Sequence, residues 1–529
     1  MLRVARVVPC ASRGFLRWAA QCPFSLVPRA SREFASEAAQ QCPFTGGGGN
    51  DRAASPVEGS SPLPFDAIPG PKRWPVVKAL PDFYGRMDDK KVHTAAHAYY
   101  KEFGPIVRVD LPGQEPDVWL FDPREMLKLF RAEGPYPDGP VRLTWPVAKY
   151  NSRLPEPNKL VGVGEEWKEH RSKLNPGIFH VKSAQEFLPN LTPTAAELSA
   201  HFPEHAGDLA TFCRLSSFDL FCAGVIGKSL RVISKDADPR DVAFADAAAL
   251  SFNLMGDLLF SPLETALKDR VDTKTYKAFE RSMAAQVERA EQIVADCRDD
   301  ASIQHSYLKV LSESGAFNEA AAAKEVVNLL GAAVDTTATT LLWLLYDLAR
   351  NPEAQAAAAA EVRAELSPSG EFRADAKLPY FKACYRESLR LSPIGNTGTF
   401  RTTPADLVLG GFHVPAGTRV TTIGAAMMMD PTIVEEPHKF KPERWLPAAV
   451  AERKGTDREI HDHKLLGANF GFGPRMCLGA RFAKNEIYAL TARILHDWDM
   501  SVKVPHDKVV MRLLLAPQPP PQFKLTPRP

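Results

Sequence analysis

The sequence predicts a mainly α-helical fold with small β-sheets, built as one large domain. Three features predict it. Helical periodicity runs in long stretches, at about 183–204, 240–256, 272–299, 318–350, 353–366 and 378–391. Strand signals are brief: a hairpin within 106–121 turning on Pro112-Gly113, and short runs at 407–409, 412–414 and 420–423. No linker interrupts the chain after residue 64, so 65–529 reads as a single domain.

Helix ends fall where local chemistry puts them. Asn351-Pro352 stops one helix, because proline cannot donate the next backbone hydrogen bond. Pro379 occupies a first-turn position, where the missing N–H costs nothing. The stretch 329–346 is apolar nearly all round, as in a helix buried inside a large protein. Asp335 at its centre argues against a membrane span.

The residues before the domain have their own character. Arg3, Arg6, Arg13, Arg17, Arg29 and Arg32 are spread through the first 32 residues with no acid among them, the composition of an organelle transit peptide. The segment Arg32-Glu33-Phe34-Ala35-Ser36 resembles a mitochondrial cleavage site, so 1–36 reads as a mitochondrial leader, with a plastid leader as the alternative. Its apolar runs fall short of the ~20 residues a bilayer span needs, and no N-terminal anchor is expected. Residues 37–64, with Gly46–Gly49 and many Ser and Pro, read as a disordered linker. Ile68-Pro69-Gly70-Pro71 forms a stiff entry to the folded unit.

The balance of 65 basic and 63 acidic residues excludes bulk attraction to nucleic acid, so charged partners must be sought in local patches. The 8 cysteines, at 10, 22, 42, 213, 222, 297, 384 and 477, form no Cys-x-x-Cys pair and no disulfide framework.

Chemistry concentrates in the run Phe470-Gly471-Phe472-Gly473-Pro474-Arg475-Met476-Cys477-Leu478-Gly479. A metal-bound thiolate belongs on a tight loop whose N–H groups point at the sulfur and set its basicity. Gly473 and Gly479 permit unusual torsions, Phe470 packs against the sulfur side, and Arg475 reaches an anionic group by a charge-assisted hydrogen bond. Phe-x-x-Gly-x-Arg-x-Cys-x-Gly is the haem-binding signature of cytochromes P-450; Phe470, Gly473, Arg475, Cys477 and Gly479 fill its specified positions. The chain resembles that superfamily over nearly its whole length after residue 64. It is most similar to the mitochondrial, ferredoxin-dependent class.

The resemblance implies haem b (iron protoporphyrin IX) with Cys477 as axial ligand, and insertion of one atom of O2 into a lipophilic substrate such as a sterol or steroid. It assigns further residues. Glu387 and Arg390, three apart on a helix, would join Arg444 of Phe440-Lys441-Pro442-Glu443-Arg444-Trp445 in a buried structural triad. Trp167 and Arg171, four apart, would meet the haem propionates together with Arg401 and Arg475. In the long buried helix Asp335 and Thr336 would relay protons to bound dioxygen. Ala333 stands where the family often has glycine, and Arg401 lies one residue farther from the Glu-x-x-Arg helix than in related mitochondrial enzymes, so 394–399 is a candidate insertion.

For electrons, Lys382 and Arg386 match positions where the mitochondrial class contacts an acidic two-iron ferredoxin. Ala480 replaces the first of that class's two arginines after the loop glycine, and Lys484 replaces an acid. The apolar run 250–260 lies where the family has its channel lid, a candidate for peripheral contact with the inner mitochondrial membrane. Two other functions share parts of this pattern. One is a haem-thiolate isomerase or dehydratase of fatty-acid hydroperoxides, which needs no proton relay. The other is a non-catalytic haem carrier or sensor, to which the two Gln-Cys-Pro-Phe motifs at 21–24 and 41–44 lend support.

Overall fold

The structure is a computed structural model. It describes residues 61–529 apart from 89–91, 113, 140–143, 155–158, 179–183, 299, 301–302, 304, 367–376, 396–397, 468 and 512. The leader at 1–36, both Cys-Pro motifs and the linker through residue 60 lie outside the described residues. The described residues all belong to one compact unit, Arg52–Pro529.

In chain order the elements that position the site are α1 (Leu80–Arg86), α2 (Val92–Phe103), β1 (Ile106–Val109), β2 (Asp117–Leu120), α3 (Pro123–Ala132), α4 (Trp145–Asn151), α5 (Gly164–Leu174), α6 (Leu188–His201), α7 (Leu209–Val225), α8 (Pro239–Phe260), α9 (Pro262–Leu267), α10 (Lys274–Arg298), α11 (Tyr307–Glu313) and α12 (Glu319–Arg350). There follow α13 (Pro352–Glu365), α14 (Pro379–Leu391), β3 (Thr399–Thr402), β4 (Leu407–Leu409), β5 (Phe412–Val414), β6 (Arg419–Thr422), α15 (Pro447–Arg453), α16 (Ala480–Asp497), β7 (Trp498–Val504), β8 (Lys508–Met511), β9 (Leu515–Gln518) and β10 (Gln522–Pro527).

Helix α12 is the spine of the core. Asn318 caps it by accepting the Ala321 N–H at 2.8 Å, and Asn351-Pro352 ends it. It packs against α7, α10, α14 and α16, so apolar side chains all round its circumference are covered. Helix α7 is buried on every side in the same way. A helix with no polar face leaves no amphipathic period, which is why the sequence reading passed over 209–225. By length and composition alone, α8 and α12 are apolar enough to cross a membrane, but α12 is mostly buried in the protein.

The predicted hairpin at 106–121 is β1–β2, antiparallel with Ile106 opposite Leu120. It extends into a four-stranded sheet of order β1-β2-β6-β3, with β2 parallel to β6. Leu63 pairs with β5 of the separate β4–β5 hairpin, its N–H donating to the Gly411 carbonyl at 3.0 Å. The C-terminal pairs β7–β10 and β8–β9 were not anticipated; they hold short, half-exposed strands of mixed polarity.

Candidate active site

The loop before α16 is built around two left-handed glycines. Gly471 and Gly473 have φ of 73° and 71°, and a Cβ at Gly473 would come within 2.5 Å of Glu133 Oε1. Gly479 differs from expectation: its φ is −85°, and it serves as the N-terminal cap of α16. Its contribution is its amide, which donates a hydrogen bond to the Cys477 sulfur. The Cys477 N–H donates to the Phe470 carbonyl at 2.8 Å, closing the loop. The Phe470 ring centroid lies 5.2 Å from the Lys484 ammonium.

Cys477 is exposed, whereas Cys213, Cys222, Cys297 and Cys384 are buried. The sulfur nonetheless sits deep enough for burial to raise its pKa, opposed by the Gly479 amide and the Arg171 charge. Cys477 thus keeps accessible surface although protein atoms crowd its sulfur. Ala332 is likewise exposed, in the middle of the mostly buried α12.

Three guanidinium groups gather around the loop. Arg171 donates to the Met476 carbonyl at 2.6 Å, bolting α5 to the residue before the cysteine. Arg475 donates to the Pro137 and Gly162 carbonyls, each at 2.9 Å, and its guanidinium lies 3.6 Å from the Trp167 ring centroid. Arg401 donates to the Phe472 carbonyl at 3.2 Å and pairs with Glu133, both side chains being fully buried. Burial pushes the Arg475 pKa down to about 10, helped by the like charges of Arg401 and Arg171. Glu133 and Asp138 are too few to balance these cations, and Glu133 itself is pushed up by burial against the pull of Arg401.

This donor set fits haem. One accessible sulfur suits iron. An excess of guanidinium over carboxylate suits two propionates. The buried Trp167 face and a small-residue helix turn at Ala332-Ala333 suit a flat apolar macrocycle.

Asp335 and Thr336 lie on that helix. The Thr336 hydroxyl donates to the Ala332 and Ala333 carbonyls at 2.9 and 3.1 Å, the back-bonding a threonine makes inside a helix, and the helix runs unbroken through this turn. Asp335 lines a cavity of about 320 Å³ between α7, α8, α12 and the β8–β9 hairpin, facing Arg214. Burial lifts its pKa to about 6, against the opposing charge of Arg214. A carboxyl with that pKa exchanges protons near neutral pH.

Glu387, fully buried, is the most completely bonded carboxylate described here. Arg390 grips it at 2.8 and 3.0 Å, Arg444 Nε at 3.0 Å, the Lys441 N–H at 3.0 Å and Trp445 Nε1 at 2.8 Å. Burial works against ionisation, but these donors outweigh it and hold the pKa below the usual carboxylate range. Arg390 also donates to the Pro437 carbonyl at 2.6 Å, and Arg444 to that of Glu435 at 2.9 Å, so the carboxylate knots α14 to the irregular segment before the loop.

The family model for cytochrome P450 matches residues 68–526. The chain belongs to the cytochrome P450 family. As a P450 it binds haem b through a cysteine thiolate and is a monooxygenase, an oxidoreductase that incorporates oxygen. Among curated relatives it is 26% identical to the mitochondrial 1,25-dihydroxyvitamin D(3) 24-hydroxylase of Rattus norvegicus, over 92% of this chain and 91% of the relative. It is 27% identical to the mitochondrial cytochrome P450 11B1 of Sus scrofa, over 86% and 91%. To the mitochondrial cholesterol side-chain cleavage enzyme of Homo sapiens it is 28% identical, over 88% and 90%.

Some site residues escaped the sequence reading. Glu133 meets Arg401 from 268 positions away, with no local signal to betray it. His170 stands within the quoted Trp167–Arg171 segment, yet its 3.0 Å contact with Glu325 of α12 required the fold.

Proposed function

We propose that this P450 hydroxylates a sterol, steroid or related lipid in the mitochondrion, with Cys477 as the haem ligand and electrons arriving singly from an acidic ferredoxin. The observation that carries the reading is Asp335, a carboxyl inside an apolar helix, facing a cavity that also includes Phe252, Leu342, Leu513 and Leu514. The same walls carry the polar side chains of Thr211, Arg214, Asn253, Thr339 and Gln518, so they suit a lipophilic substrate that bears a polar group. The similar hydroxylase and side-chain cleavage enzyme, both mitochondrial by name, support the same class, as does the arginine-rich, acid-free leader.

When bound, haem supplies the activation of dioxygen that no side chain can perform. The protein's own work is positioning and proton management. Arg171, Arg401 and Arg475, with Trp167, would hold the group by its propionates. Phe470, Gly473 and Gly479 shape the loop, and the Gly479 amide tempers the basicity of the sulfur. Asp335 takes up a proton from the Arg214 side of α12 and gives it up near neutral pH. Thr336 passes it on by exchanging its bonds to the Ala332 and Ala333 carbonyls for one to the acceptor. Glu387, Arg390 and Arg444 keep the segment before the loop in register so that the sulfur stands in place.

Lys382 and Arg386, both exposed on α14, supply the positive surface for the ferredoxin. Leu250, Phe260 and Leu263, exposed on α8 and α9, supply an apolar surface for peripheral contact with the inner membrane. The test is reconstitution with an acidic two-iron ferredoxin and its reductase, cholesterol or 1,25-dihydroxyvitamin D3 as substrate, and products read by mass spectrometry. Oxygen-dependent product heavier by one oxygen atom supports the reading. Turnover of fatty-acid hydroperoxides without reductant, and none of sterols, would overturn it.

A further inference from the structure

Tyr385 of α14 is only 2% exposed, yet among the described residues its hydroxyl meets no hydrogen-bond partner. A buried O–H without an acceptor is costly, because it has given up water for nothing in return. Burial pushes its pKa well up, so the phenol keeps its proton and stays a donor. The two groups whose charges bear on it are Tyr488 and Cys477.

The fold wedges this phenol between the two segments that lead to the ligand cysteine. Lys382, Tyr385, Arg386 and Leu389 follow the i, i+3, i+4, i+7 spacing of one helical face, which borders a concavity of about 320 Å³. Phe470 lines the same concavity, and its carbonyl accepts the Cys477 N–H at 2.8 Å. On the other flank the Tyr385 ring meets the Tyr488 ring edge-on, with centroids 5.3 Å apart and planes at 86°. Tyr488 belongs to α16, the helix that begins at Ala480, just past Cys477. This ring contact fixes the phenol while its O–H still rotates about the C–O bond.

A negative sulfur has room for more than the one amide donor that Gly479 supplies. The cations around the concavity are otherwise placed. Lys382 and Arg386 are exposed, where salt screens them, Arg390 is held by Glu387, and Lys484 lies over the Phe470 ring. The Tyr385 dipole is shut away from water, so salt leaves it untouched.

We propose that Tyr385 is a positioning residue that acts through Cys477: its hydroxyl turns its proton toward the thiolate, draws off part of the sulfur's negative charge, and so sets how readily the bound iron is reduced. The proposal rests on the reading of Cys477 as the iron ligand. A thiolate relieved of charge pushes less density onto the iron, which favours uptake of the first electron.

The experiment uses the haem-loaded full chain. The midpoint potential of the iron and the carbon monoxide stretching frequency of the reduced complex are measured for the parent, Tyr385→Phe, Tyr385→Met and Tyr488→Phe, each at low and high salt. Haem content and unfolding midpoint are taken alongside. Tyr385→Phe keeps the ring and its edge contact and removes only the hydroxyl. It is expected to lower the reduction equilibrium about tenfold, about 59 mV for one electron, equally at both salt concentrations. The carbon monoxide stretch should fall with it, because the unrelieved thiolate donates more density. Tyr385→Met should shift both readings the same way, and Tyr488→Phe should shift neither. A parent without the red-shifted thiolate spectrum overturns the ligand reading and this proposal together. A parent with that spectrum, beside a haem-loaded Tyr385→Phe or Tyr385→Met unmoved in both readings, leaves the ligand reading standing and overturns the proposal. An equal shift in Tyr488→Phe would assign the effect to ring packing and overturn it as well.

Discussion

Replacing Glu387 by glutamine removes one negative charge from a place water does not reach, while leaving shape and volume nearly unchanged. The carboxylate accepts charge-assisted bonds from Arg390 and Arg444 and neutral ones from the Lys441 N–H and Trp445 Nε1. Glutamine offers one acceptor oxygen, and its NH2 faces donors. Two guanidiniums are then left buried without an anion. Breaking a buried pair from one side costs about 3–5 kcal/mol, against a total stability of roughly 5–15 kcal/mol. The expected result is a loss of about 4 kcal/mol in guanidinium unfolding of the haem-loaded protein, with poor haem retention on purification. Adding Arg390→Gln should cost less than its own single effect, because the uncompensated cation is removed with it. The pH dependence has a definite sign. Since the Glu387 pKa is depressed, its stabilisation is present above the ordinary carboxylate range and is lost as pH falls through the lowered value. A Glu387→Gln protein within about 1 kcal/mol of the parent, with normal haem content, would refute this account of the triad.

Asp335 should behave oppositely. Its pKa is raised to about 6, so ionisation costs stability as pH rises from the ordinary aspartate value towards 6, and the penalty is full above it. Asp335→Asn should therefore stabilise the protein at pH 7, by at most a few kcal/mol, while removing the inflection near 6 from the pH profile of turnover. Thr336→Ala should divert reducing equivalents from product to peroxide, lowering coupling by about tenfold or more with substrate affinity little changed, as read by product and peroxide assays. Gly473→Ala meets both a φ of 71° and Glu133 Oε1 at 2.5 Å. It should lose about 1–3 kcal/mol, measured by unfolding, and lower haem occupancy.

What the sequence made legible was what local spacing encodes. Residues 274–298 and 319–350 announced themselves as helices by period and end signals, and the loop around Cys477 by its glycines and arginine. Glu387 and Arg390 share a helical face by spacing alone, whereas Arg444 joined them only through the family motif. Contacts between distant segments stayed hidden. Nothing near Arg401 points to Glu133, and Lys484 stood out only as a departure until the fold set it over Phe470. Gly479 shows a subtler limit. Glycine suggests a left-handed torsion, yet here the backbone is ordinary and the amide, which any residue but proline would supply, makes the contact.

The most direct test of the central claim is the absorption spectrum of the reduced, carbon monoxide-bound protein beside Cys477→Ser. A strongly red-shifted Soret band, lost in the variant, is the predicted result and follows from thiolate ligation by Cys477. A band at the position typical of histidine-ligated haem, unchanged by the substitution, would contradict the ligand assignment and the proton-handling roles built around it.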